Sequence, residues 1–338
     1  MISYVLVPCP LCGTPGEQLA TEDEMKRELE QLWGYHGRRL RPETPPARLA
    51  DRLAFSQRPP LRLARCAHCA MIWRSPAERA DEVTDGYARE APSDDTLAAL
   101  HDTQRDAARA QARRLTAVAG RAGAVLEVGS YVGGFLSAAR ERGWRAEGVD
   151  VNAVASAHAR GRGHVVTLGE LADVDPARRW DAIALWNCLD QMPDPREALH
   201  AARMRLRPDG VLAVRVPNGA CYAALRRRAA GGSLRASLAR ARLAQNNLLG
   251  FPYRWGFSPA SLARLVASLG FRVEHVVGDV LVPLADRWTR PWARVEERVA
   301  KAFMRAAARR SAASAPWFEL YARLEQAHAP DIALSSAS

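Results

Sequence analysis

Lysine is almost missing from this chain: of its 48 basic residues only Lys26 and Lys301 are lysines, so the basicity is arginine. No run of about 18 apolar residues occurs, which excludes a membrane-crossing helix. The first residues, Met1 to Pro10, have neither the basic region nor the apolar core of a secretory signal, and a cytoplasmic protein is expected. Internal repeats are absent too. What is present, 338 residues with 48% hydrophobic and 25% charged side chains, suits a globular protein of two or three domains and excludes disordered and fibrous classes.

Acidic residues are missing from one long stretch. Between Gly210 and Val273 there are ten arginines and no carboxylate. Residues 1–200 carry 26 basic and 28 acidic side chains, whereas residues 201–338 carry 22 and 9, so the net charge of +11 belongs to the carboxyl-terminal part. A surplus of one sign attracts phosphates, anionic substrates, nucleic acid or anionic membranes, and it also arises on any solvated surface.

Four of the six cysteines form two Cys-x-x-Cys pairs, Cys9/Cys12 and Cys66/Cys69. In a cytosolic chain such knuckles read as a four-thiolate zinc site rather than disulfides. The 53 residues between the pairs exceed a compact ribbon. They hold a helical pattern around Glu22 to Trp33 and a proline-rich connection (Pro42, Pro45, Pro46, Pro59, Pro60), so a zinc-ribbon-like domain with a helical insertion is expected over residues 1–85. A closed four-cysteine shell leaves no open position, and the zinc is expected to be structural.

Residues 84–97 read as loop, and Asp102 to Val118 as an amphipathic helix. Then strands alternate with helices: Ala124 to Val128, Trp144 to Asp150, Val165 to Leu168, Trp180 to Trp186, Val211 to Val216 and Phe271 to Val277. This is an α/β, Rossmann-like, doubly wound sheet, with ligands at the carboxyl ends of its strands. It is expected over residues 86–285, with a basic insertion, residues 218–256, covering the ligand face; a helical extension, residues 286–338, follows. In that tail Trp292, Val295, Val299 and Phe303 share one helical face. Packing onto the domain or onto a dimer mate is the favoured expectation, peripheral membrane contact the sharper one.

The turn after the first strand of the sheet, Gly129-Ser130-Tyr131-Val132-Gly133-Gly134, lets a ligand approach the backbone. Tyr131 occupies the second glycine position of a dinucleotide motif, and Glu127 lies just before the turn, where a carboxylate repels pyrophosphate and welcomes an ammonium. Asp150, ending the second strand, suits ribose hydroxyls. A ligand with an amino-acid end, a ribose and no phosphate fits both. Here the chain resembles the class I S-adenosylmethionine-dependent methyltransferases, through Val125 to Leu136, Gly148-Val149-Asp150, Trp180 to Ile183, Met192-Pro193-Asp194-Pro195, Leu206 to Leu212, Val216-Pro217-Asn218 and Phe257-Ser258-Pro259. The ribbon, with Ala70 where glycine is usual, is similar to that of nucleotide-sugar methyltransferases.

The resemblance implies that Glu127, Gly129, Tyr131 and Gly133 hold the methionyl part of S-adenosylmethionine, Asp150 and Val151 the ribose, and Glu170 and Leu171 the adenine, with Asn187 facing the methyl. Tyr131 in place of the middle glycine departs from the family pattern, and is tolerated if its backbone keeps a negative φ. Where many relatives have Glu-His after the fourth strand this chain has Asp190-Gln191, and Tyr253 stands before the Phe-Ser-Pro stretch; these three are the candidates for proton handling. The expected acceptor is a small or carrier-linked, anionic molecule such as a nucleotide-sugar, glycan or other metabolite. RNA is a weaker alternative, because the Asn/Asp-Pro-Pro-aromatic motif of base methylation is missing. A non-catalytic cofactor-binding or partner module is a third.

Overall fold

Short apolar runs separated by glycine turns and capped helices organise the larger part of the chain. In the computed structural model, which describes residues 3–45, 61–89, 94–248, 251, 254–283 and 286–325, they form a seven-stranded sheet. Five strands are parallel: β6 (Ala124–Val128), β7 (Arg145–Asp150), β8 (Val165–Leu168), β9 (Trp180–Trp186) and β10 (Leu206–Pro217). With β12 (Phe271–Asp279) and β13 (Trp317–Leu324) the spatial order is β12-β13-β10-β9-β6-β7-β8, and β13 runs antiparallel to both neighbours. The order reverses at β6, between β7 and β9, so the ends of these three strands open onto one crevice.

Strand alternation builds a core on each face. Leu126, Val128, Ile183, Leu185, Leu212 and Val214 point to one side, and Val125, Ala182, Ala184, Val211 and Ala213 to the other. Helices α3 (Asp94–Ala119) and α4 (Gly134–Arg140) cover the second face. Trp186 belongs there as well, edge-on to Phe135 and Tyr321, so it fills core. Helix α5 (Ala153–Gly161) follows β7, its first turn held by the Asn152 side chain. Asp194 and Ser258 likewise cap α6 (Pro195–Arg205) and α9 (Pro259–Ala267), each with proline in the first turn.

The distal tail departs from a helical extension. Residues 317–324 are a strand inside the sheet, because Trp317, Phe318, Leu320 and Ala322 complete the core. Glu319, fully buried, is held there by two Arg114 hydrogen bonds and by the Tyr321 hydroxyl at 2.5 Å. The apolar face of the tail's helix, α10 (Pro291–Arg310), does not pack onto the domain, one of the expected arrangements. Trp292, Val295, Val299 and Phe303 are exposed, Trp292 with the Arg39 guanidinium 5.4 Å from its ring centre, and Ala293, Glu297, Lys301, Met304 and Ala308 form the buried stripe.

The amino-terminal unit has β1 (Tyr4–Val5), β2 (Glu17–Ala20), helix α1 (Glu22–Arg39), β3 (Leu63–Arg65), β4 (Ile72–Arg74) and β5 (Ala77–Glu78). Thr21 and Glu24 form a capping box that starts α1. Pro46, Pro59 and Pro60 of the expected connection lie outside the described residues. β2, β3 and β4 make a sheet whose fourth strand, β11 (Trp255–Gly256), comes from the end of the basic insertion. The insertion's helices α7 (Gly219–Ala229) and α8 (Leu234–Gln245) share an apolar core with α1, through Met25, Leu32, Tyr222, Leu225 and Leu243. Cys9, Cys66, Cys69 and Trp73 join the core of the large sheet, so the ribbon is bolted to one face of it.

Candidate active site

The four ribbon cysteines converge as their spacing predicts. All four sulfurs lie within 4.8 Å of one another, with Cys9 to Cys69 at 3.4 Å and Cys12 to Cys66 at 3.5 Å. Each knuckle closes with a backbone bond back to its first cysteine, Gly13 N–H to Cys9 and Ala70 N–H to Cys66. Gly13 and Ala70 both have positive φ, so Ala70 accepts the left-handed geometry that a glycine would take freely. A tetrahedral ion with metal–sulfur bonds of about 2.3 Å needs sulfurs at roughly this separation, and the donor set is the one zinc prefers.

At the sheet's carboxyl edge, Glu127 pairs in register with Gly148 on β7 and Ala184 on β9. It is 5% exposed, and among the described residues its Oε2 has no hydrogen-bond partner. Burial, reinforced by the charge of Asp150, pushes its carboxyl well above the usual range. Asp150 is also buried, and burial raises its pKa against the pull of two backbone donors, Tyr131 N–H at 2.7 Å and Asn152 N–H at 2.8 Å. Two carboxyls thus share a crevice short of positive charge.

The glycine turn approaches tightly. A Cβ on Gly129, at φ +72°, would sit 3.0 Å from that of Cys188, and one on Gly148 would strike the Ser130 hydroxyl oxygen. Gly133, at φ +77°, caps α4. Tyr131 does not keep a negative φ: it stands at +45°, and this turns its N–H onto Asp150. A left-handed non-glycine residue costs about 1–2 kcal/mol, here offset by a charge-assisted hydrogen bond.

Val151 follows on the rim, half-buried. Beyond β8, Glu170 is exposed and Leu171 buried at a single 3-10 turn, residues 171–173. The Thr84 hydroxyl donates to Glu170 at 3.0 Å, and Asn152 donates to the Tyr87 carbonyl at 2.8 Å. Both partners sit on α2 (Ala80–Ala88), where a loop was expected. Sequence reasoning missed this helix over the rim; Ala80, Val83 and Tyr87, spaced three and four apart, were its signal.

Past β9, Asn187 is exposed at φ +60°. Its side-chain oxygen accepts a hydrogen bond from Arg215, whose Nε also donates to Asp279 at 2.6 Å, with the guanidinium 4.5 Å from the centre of the Trp317 ring. Arg215 is a second residue that the sequence reading left unused. Its place in an apolar strand, followed by the family-like Val216-Pro217-Asn218, could have marked it. Cys188 donates to the Val128 carbonyl, and burial, with the charges of Asp190, Glu127 and Asp150, pushes its thiol well up, so it stays protonated.

Asp190 is 1% exposed, and among the described residues neither of its oxygens has a hydrogen-bond partner. Burial pushes its pKa up to about 7 despite the opposing charge of Arg215. Its backbone carbonyl accepts from Trp255 N–H at 3.0 Å, which ties β11 to the site. The Gln191 side chain donates to the Asn187 carbonyl at 2.7 Å, so it braces the turn. Tyr253 lies outside the described residues.

The insertion's arginines divide. Arg226 is spent on Glu28 and Glu24, and buried Arg254 donates to the Glu78 carbonyl. Arg227, Arg228, Arg235 and Arg242 are exposed. Both ends of the insertion meet at the ligand edge, where a Cβ on Gly219 would collide with the Gly256 carbonyl. Its helices pack on α1.

Residues 99–276 match the family model described as a methyltransferase domain. No curated protein matches the chain. Among solved structures it is similar to a SAM-dependent methyltransferase from Archaeoglobus fulgidus, with 18% identity over 65% of this chain and 94% of that one and a TM-score of 0.42. It is similar to the plantazolicin methyltransferase BpumL in complex with SAH, at 10% identity over 72% and 94% of the two chains and a TM-score of 0.44. CalS10, an amino pentose methyltransferase from Micromonospora echinaspora involved in calicheamicin biosynthesis, shows 24% identity over 37% of this chain and 57% of that one, with a TM-score of 0.32. Among the described residues no helix is long and apolar enough to cross a membrane.

Proposed function

Because the chain belongs to the methyltransferase-domain family, whose model matches more than half of it, we propose that it moves a methyl group from S-adenosylmethionine to a small or carrier-linked, anionic acceptor. The observation that carries the cofactor assignment is the pair of buried carboxyls at the switch point. Glu127 has an oxygen without a hydrogen-bond partner among the described residues and a pKa raised by burial and by Asp150. Such a site is completed by a cation that also donates hydrogen bonds, as an ammonium does. Asp150, fixed by two backbone donors, keeps acceptor capacity for vicinal hydroxyls. The residues present therefore fit S-adenosylmethionine.

When bound, that cofactor supplies a methyl group on a sulfonium, which is already electrophilic. The protein's share is then chiefly placement and water exclusion. Glu127 holds the ammonium and Asp150 the ribose hydroxyls, while Gly129 and Gly133 allow close approach, Tyr131 shapes the turn, and Val151, Glu170 and Leu171 border the adenine. Asn187, exposed and with its side-chain oxygen engaged by Arg215, would face the methyl. Asp190 is the candidate base: a carboxyl that ionises near 7 is populated in both forms at neutral pH, as proton handling requires. Gln191 positions the Asn187 turn. Cys9, Cys12, Cys66 and Cys69 would hold a zinc ion that fixes the ribbon to the sheet and takes no part in the transfer.

The exposed arginines of α7 and α8 supply the positive potential that favours an anionic acceptor. The test is release of S-adenosylhomocysteine from the zinc-loaded protein given S-adenosylmethionine with phosphorylated or carboxylated small molecules, their neutral counterparts, or RNA. Turnover confined to anionic small molecules is expected. Turnover of RNA alone, or equal turnover of neutral counterparts, would refute the acceptor assignment.

A further inference from the structure

Helix α10 carries its apolar side outward. Trp292, Val295, Val299 and Phe303 are 51%, 60%, 51% and 72% exposed. Their spacing of three, four and four residues makes one stripe along the helix. The stripe facing the protein is the less apolar one: Ala293, Glu297, Lys301, Met304 and Ala308, with an internal Lys301–Glu297 ion pair at 2.8 Å. A helix on a globular surface ordinarily has the reverse arrangement.

Firm anchors hold this orientation. Arg39 donates twice to Glu296 at 2.6 Å, Leu40 pairs with Thr289, and Lys301 donates to the Val282 carbonyl at 2.5 Å. The charge beside the stripe has one sign. Arg298, Arg305, Arg309 and Arg310 are exposed, while the helix's two acids, Glu296 and Glu297, are already paired with Arg39 and Lys301. Outward apolar side chains flanked by arginines match a surface that is negative at its boundary and apolar just beneath. An antiparallel two-fold pairing of α10 with a second copy would set its arginine flank against itself. Nucleic acid would satisfy the arginines but leave the aliphatic residues in water.

We propose that α10 docks the protein onto an anionic lipid surface, with Trp292, Val295, Val299 and Phe303 entering the headgroup boundary and the flanking arginines pairing with lipid phosphates. The helix lies in the interface plane and does not cross it. The proposal is independent of the acceptor's identity. It places the reaction beside a membrane whether or not the acceptor is lipid-linked.

The test is cosedimentation of the full chain with vesicles of phosphatidylcholine, alone or with about one third phosphatidylserine. Binding should need the anionic lipid and weaken as salt rises. Val299→Ser with Phe303→Ser should weaken it at least tenfold, on the order of what two buried apolar side chains contribute. Arg298→Glu with Arg305→Glu should do the same, since each arginine at such a surface is worth about fivefold before its reversal adds repulsion. All four positions are exposed, so circular dichroism and cofactor binding should not change. Three results would overturn the proposal: no binding to anionic vesicles, binding that ignores the serine pair and follows only the arginines, or a dimer in sedimentation velocity that the serine pair dissociates.

Discussion

Replacing Asp190 with asparagine separates a buried ionisable carboxyl from a merely polar one. In the unfolded chain an aspartate titrates near 3.9, whereas in the fold burial raises it to about 7. The fold therefore holds this proton more tightly than the unfolded chain, and its contribution to stability is complete below the unfolded value and lost as pH rises through the folded one. The full difference is worth about 4 kcal/mol, and more than half of it is lost between pH 5 and pH 8. An asparagine side chain has nearly the same shape as the aspartate and does not titrate. Its amide leaves buried donors to satisfy, a cost of about 1–3 kcal/mol that is the same at every pH. Urea unfolding of wild type and Asp190→Asn, ligand-free and zinc-loaded, should show the variant gaining roughly 2–3 kcal/mol on wild type between pH 5 and pH 8. Groups common to both proteins cancel in that comparison. Parallel pH profiles would mean that Asp190 ionises normally, and its assignment as the base would fall with the prediction.

Three further outcomes follow from the same structure. Glu127 is raised by burial and by Asp150, so S-adenosylhomocysteine should bind more tightly as pH rises, with proton release visible as buffer-dependent heat in calorimetry; Glu127→Gln should bind at least tenfold more weakly and lose that dependence. Metal analysis should find zinc equimolar with the chain, and its removal by a chelator should lower the melting temperature by more than about 10 °C, because Cys9, Cys66 and Cys69 sit in the core of the large sheet; an unchanged melting curve would show the cysteines to be packing only. Arg114→Ala should destabilise by about 3 kcal/mol in urea, since it strips buried Glu319 of its cation, and a loss under about 1 kcal/mol would show that β13 does not depend on the pair.

Legibility in the sequence followed the locality of the physical signal. Glu127, Asp150 and the glycine turn were readable because strand, turn and helix follow one another within about thirty residues, and each step has its own pattern. The cysteine pairs were readable at long range because sulfur spacing is a chemical signature rather than a packing one. Trp317 to Leu324 was not. An apolar run that short is strand or helix until one knows that a sheet edge awaits it, and its partners β10 and β12 lie about forty to a hundred residues earlier. The sign of φ at Tyr131 was not legible for a related reason: the bond that rewards the left-handed turn comes from Asp150, nineteen positions away. In α10 the pattern was legible and its direction was not. Amphipathicity says that a helix has two faces, and only the tertiary anchors Arg39 and Lys301 decide which one is buried.

The central claim, that S-adenosylmethionine sits in the crevice between β6 and β7 with its ribose on Asp150, is tested most directly by calorimetric titration of the zinc-loaded protein with S-adenosylhomocysteine. Wild type should bind, and Asp150→Ala should bind about 30-fold or more weakly, the loss expected for hydrogen bonds to a charged acceptor. Asp150→Asn, which keeps an acceptor for the loop, should fall between them. Binding of equal strength by wild type and a folded Asp150→Ala, or no binding by folded wild type, would contradict the account.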